Sequence, residues 1–144
     1  MKPVYQRKQR PAHDSDFAGA ARALSRTLLA VHKQLLERAR IDYEKAHGRQ
    51  TPTQLWQLLI EDPFFAWLRP LSGAVAQLDE LLATDTDRAP YRSLAGEVRR
   101  MLTSGDPADP FAAQYSRFLQ VPEVIEVHVA ARRALEAFEA VIEK

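Results

Sequence analysis

The 144-residue chain contains no cysteine. That one absence removes disulfides, thiolate-held zinc, iron–sulfur clusters and thiol nucleophiles. Glycine is also scarce: the five glycines, at positions 19, 48, 73, 96 and 105, are all isolated. Neither a phosphate-cradling loop nor a G-x-G-x-x-G fingerprint can be built from them, and no G-x-S-x-G nucleophile elbow is present. No run approaches about 18 consecutive apolar residues, so no transmembrane helix is expected. The opening "MKPVYQRKQRPAHDSD" has no apolar stretch that could act as the core of a signal peptide. These absences together point to a cytoplasmic protein. Period-2 alternation is missing too; "VPEVIEVHV" comes nearest, but its flanks continue in helical spacing. The turn "DTDRAP" starts like a calcium loop yet lacks the third acid and the glycine of the sharp turn.

Ala, Leu, Glu, Arg and Gln dominate what is present, and all favour helix. Hydrophobic residues make up 46% and charged residues 27% of the chain, as in ordinary globular domains, and the length suits a single domain. Net charge is only +1, but Lys2, Arg7, Lys8 and Arg10 stand against Asp14 alone in the first fourteen residues. The expected organisation is a basic, flexible tail over residues 1–14 and one helical domain over residues 15–144.

Prolines punctuate that domain. Pro52, Pro63, Pro90, Pro110 and Pro122 each sit at the head of a helical pattern, where a missing N–H costs nothing. Thr51 and Gln54 form a capping box, and Asp62 and Asp109 supply capping carboxylates before their prolines. The patterns predict a long helix from Ser15 to His47, ended by Gly48, with a seam of Phe17, Leu24, Leu28, Val31 and Leu35 broadened by Leu29 and Leu36. Short helices are expected near 52–61 and 109–120, and longer ones near 88–103 and 122–143. The short helix at 52–61 is apolar nearly all round, so it is expected to be clamped between other elements. Over 64–82 the stripe Phe64, Leu68, Leu71, Val75, Leu78, Leu82 keeps helical phase through Pro70. That predicts one continuous helix bent at Pro70, with the carbonyl of Ala66 left to find another partner. The fold class is therefore all-α: an antiparallel helical bundle of three to four long helices with two short accessory helices.

Catalytic constellations are not found, so no catalytic residue, cofactor or metal is assigned. Glu44 and His47 have the spacing of one half of a di-iron ligand set, but no second copy exists. Two histidines stand on apolar stripes, His32 on the first long helix and His128 on the last. His128 is expected to bond a neighbour such as Tyr43 or Asp42, or to meet His32 across the bundle as a titrating switch or ligand. Arg99, Arg100, Arg132 and Arg133 read as solvated faces. The candidate surface is an aromatic knot: Trp56, Phe65, Trp67, Arg69 and Pro70. Phe65 is placed on the solvent side or under Trp56, with Arg69 four residues on and able to lie over its ring.

The leading functional expectation is a non-enzymatic protein that acts by binding another protein or by forming a homo-oligomer. An alternative is a small-molecule or metal-binding bundle with a pocket near the Pro70 bend or His32 and His128. A third is weak nucleic-acid association through the basic tail, which four cations without a patterned face support poorly.

Overall fold

Three helical starts carry the side-chain caps that the sequence supplies. Thr51 Oγ1 accepts from the Gln54 amide at 3.1 Å, and Gln54 Oε1 accepts from the Thr51 amide at 2.8 Å. Asp62 and Asp109 carboxylates accept from the amides two residues on, at 2.8 and 3.0 Å. These caps satisfy orphan donors of the first turn. Gly48 ends the first helix at φ +81°, the left-handed conformation that glycine adopts without strain.

The computed structural model describes residues 12–84 and 87–143, with side chains from residue 16 onward. The expected tail lies outside the described residues, apart from the backbone of 12–14, which is already helical. Among the described residues the chain is all-α. Its helices are α1 (Ala12–His47), α2 (Pro52–Glu61), α3 (Arg69–Thr84), α4 (Arg88–Thr103), α5 (Pro110–Phe118) and α6 (Pro122–Ile142). A 3-10 segment, Pro63–Leu68, joins α2 to α3, and no strand occurs among the described residues. Nor is any described helix long and apolar enough to cross a membrane.

One line of α1, Ala21, Leu24, Leu28, Val31, Leu35 and Ala39, is fully buried. Its main partner is α6, which contributes Val124, Ala131, Leu135, Phe138 and Ile142. Helix α3 packs on α1 and α4, and α4 packs on α6. Arg99 is 39% exposed and also has a partner: it holds Glu139 of α6 through two bonds, of 2.7 and 2.5 Å, in a fork geometry between α4 and α6.

The segment around Pro70 departs from the sequence expectation. Rather than one bent helix, a six-residue 3-10 segment runs to Leu68 and a new α-helix starts at Arg69. Pro70 therefore lies in a first turn, where it costs little. The carbonyl of Ala66 is not left over, because the Arg69 amide reaches back to it. The change of helix type also moves the core line. Phe65 and Leu68 are three apart, which places them on one face at three residues per turn, and Leu71 in the first turn of α3 continues the line; all three are fully buried. Phe64, expected in the stripe, is 42% exposed, and Phe65, expected outward, has no exposure. Helix α2 is not clamped either. Only Leu59 is buried along it, and the helix rests mainly on the 3-10 segment.

Candidate functional site

Three helices meet around an open groove of about 390 Å³. Leu59 of α2 and Val75 of α3 are its buried residues. Leu29 of α1 and Trp56 and Ile60 of α2 also line it, and these are 51, 62 and 51% exposed. Trp56 and Ile60 are four apart on α2 and so share a face. The 11 residues of "QTPTQLWQLLI", Gln50 to Ile60, carry no charge in a chain that is 27% charged. Depletion of charge around aromatic and aliphatic side chains is the composition of an interface core.

Three polar side chains complete the lining. His32 Nε2 lies 2.7 Å from Ser72 Oγ. Ser72 Oγ is also 3.4 Å from the Leu68 carbonyl of its own helix, a bond at the weak limit. Either the serine donates to a ring protonated on Nδ1, or Nε2–H donates to the serine, whose hydroxyl then turns to Leu68. Burial holds His32 below the ordinary imidazole range, which keeps the ring neutral near pH 7. Arg69 turns back toward α2: its Nε donates to the Leu59 carbonyl at 3.2 Å and its Nη2 to the Asp62 carbonyl at 2.9 Å. The guanidinium thereby satisfies carbonyls at the end of α2 and pins that helix beside α3. It does not take the expected place over the Phe65 ring.

Of the residues singled out from sequence, the groove gathers Trp56, Arg69 and His32. The others go elsewhere. Phe65 is buried against Tyr43 and Phe64, and Pro70 is exposed at the start of α3. Trp67 is half-buried and packs on Phe111 and Phe118 of α5 rather than toward α2. His128 bonds the Tyr115 hydroxyl through Nδ1 at 2.6 Å, not Tyr43 or Asp42. Burial, with Arg132 adding to it, lowers the imidazole, and burial raises the Tyr115 phenol well above its usual value. The two histidines thus have separate partners on separate helices. Ser72 and Ile60 belong to the groove although no sequence motif marks them, and Leu29 reads from its spacing as part of a broad packing face. The uncharged run is the sequence signal that points to the α2 wall.

Two other places bear comparison with the groove. A second cleft, of about 410 Å³, lies where α1 meets α5 and includes Phe64 and Trp67. Its charges are already paired, with Arg117 on Asp42 at 3.0 Å and on Gln114 at 3.1 Å. Near the end of α1, the Glu44 carboxylate takes Arg40 and the Gln50 amide, and His47 stacks on Tyr43. Among the described residues no three His, Asp or Glu side chains gather into a group that could hold a metal. Comparison of the chain with protein-family models, with curated protein sequences and with solved structures found no match in any of the three.

Proposed function

We propose that this chain is a non-enzymatic, cytoplasmic interaction module: an antiparallel helical bundle whose α1–α2–α3 groove receives the apolar side chains of a protein partner. The observation that carries this reading is the half-exposed trio Leu29, Trp56 and Ile60 around a recess on an uncharged stretch of chain. Large apolar side chains left exposed together mark such sites, and tryptophan is among the side chains enriched where binding energy concentrates. The neutral His32–Ser72 pair can give or accept one hydrogen bond inside the recess, which would set the register of whatever enters. A serine–imidazole contact of 2.7 Å also suits a nucleophile and its base. Among the described residues, however, no group bonds the His32 Nδ1 to orient the ring for that work.

A photo-crosslinking side chain, benzoylphenylalanine, in place of Ile60 tests the reading in cells. We expect a discrete protein adduct from position 60, lost when Trp56 is also changed to Ala, and none from the same group at Arg100 on α4. Equal labelling from both positions, or none at 60, would remove the groove as the binding site. The second reading, a small apolar ligand, is favoured by a volume within the usual range for such sites. Native mass spectrometry separates the two, since a retained ligand adds a defined mass of a few hundred daltons and a partner adds a chain.

A further inference from the structure

The rim of the groove on α1 carries a second pattern, one of charge. Arg22, Arg26, Leu29 and Lys33 are all exposed. Their spacing of four, three and four places them on one line of the helix, about 16 Å long at 1.5 Å per residue. None of the three cations is ion-paired among the described residues. Leu29 thus belongs both to the apolar groove and to a basic stripe that runs beside it for about three helical turns.

Acids do not balance this stripe within the groove. Among the described residues Arg69 is the one charged side chain in the lining, and its Nε and Nη2 are engaged by the α2 carbonyls. The Nη1 amino group remains for an incoming acceptor. On α3, Asp79 accepts from Ser25 of α1 at 2.7 Å, and on α2 the only charge is Glu61 at its last residue. The groove is therefore apolar along α2 and cationic along α1, and Asp79 of α3 meets α1 at Ser25, outside the lining.

We propose that the occupant of this groove is an acidic amphipathic helix from a partner protein. Its apolar face lies on Leu29, Trp56 and Ile60, and its carboxylates run along Arg22, Arg26 and Lys33. This rests on the reading of the groove as a protein-binding site and adds the chemistry of the partner. Helical walls on two sides accept a helix, laid in through side chains three and four apart. No strand is described whose edge could extend an added strand. An anionic bilayer would match the charge and Trp56, but a bilayer surface presents no side-chain knob to fill the recess.

The test uses two synthetic probes, each an 18-residue amphipathic helix with leucines at i, i+4, i+7 and i+11. One carries glutamates flanking the leucines, and the other carries lysines at the same places. Binding of the labelled peptides to the full chain is followed by fluorescence anisotropy. The glutamate peptide should bind about tenfold more tightly, from a few exposed charge pairs acting together. That advantage should fade at about 0.5 M salt, where the Debye length drops to a few ångströms. It should reverse in the double variant Arg26→Glu, Lys33→Glu, and Trp56→Ala should weaken both peptides. Equal, Trp56-dependent binding of the two would overturn the acidic partner and leave the groove reading intact. No binding of the glutamate peptide would overturn the helical partner, while the crosslink at position 60 reports on the groove independently. Tighter Trp56-dependent binding to phosphatidylglycerol vesicles than to the glutamate peptide would replace the proposal with a membrane surface.

Discussion

At Phe64 and Phe65, one step along the chain separates a ring 42% exposed from a ring with no exposure. Replacing Phe65 by Ala empties a space ringed by Tyr43, Phe64 and the helical core. It should cost about 3–5 kcal/mol, whereas Phe64→Ala should cost about 1. Urea denaturation of the two variants decides it, and the sequence stripe taken alone gives the opposite order. The histidines give a second residue-scale expectation. Burial depresses both His32 and His128 in the folded protein, so the unfolded chain binds protons more readily below its own value of about 6.5. Stability is then full above that value and declines as the pH falls from about 6.5 through the folded values. Because the two rings bond Ser72 and Tyr115 separately, the effects of His32→Gln and His128→Gln on this slope should add. Thermal melts of the single and double variants from pH 7.5 to 5 measure it, and histidines in mutual contact would give a non-additive result.

Among the elements, the 3-10 segment and α3 show what a linear pattern carries and where it falls short. Start signals are local chemistry, so Thr51, Asp62 and Asp109 are legible as caps from the residues around them. Long seams are equally legible, since Leu24, Leu28, Val31 and Leu35 repeat over many turns and one error does not move the average. The switch from 3-10 to α at Arg69 is not legible, because Leu68, Leu71, Val75 and Leu78 fit a single helical phase as well as two. Arg69 makes its bonds to carbonyls 7 and 10 residues back, and nothing in a linear pattern announces such a reach. The same holds for His32 and Ser72, 40 residues apart. Pro70 gives the element-scale prediction. A proline inside a helix costs about 3 kcal/mol, so its removal there would stabilise by a comparable amount. In a first turn, Pro70→Ala should instead change stability by less than about 1 kcal/mol, toward destabilisation, as the unfolded chain gains freedom. Chemical denaturation distinguishes the two readings.

On the scale of the molecule, the first and last helices form the spine. Helix α1 finds its most extensive packing on α6, although the whole of the chain between them must be made before α6 exists. The local helices α2 to α5 do not supply a substitute for Val124, Leu135, Phe138 and Ile142, each worth about 1.5–3 kcal/mol of burial against a net stability of about 5–15. A chain ending at Val121 should therefore keep helical far-UV circular dichroism but lose near-UV signal and NMR dispersion. Native-like dispersion in that fragment would show that α1, α3 and α4 hold together unaided.

Helix α2 is fastened differently: it buries a single side chain, Leu59, and is pinned at its end by Arg69. Its outward residues, Trp56, Gln57 and Ile60, are therefore largely free of the stability threshold that constrains α1 and α6. Over evolutionary time, such a wall can exchange side chains while the framework behind it stays as it is, and on the proposed reading its occupant would change with it. Related chains would then differ most along one short helix, and a change of binding specificity would need only a few substitutions there.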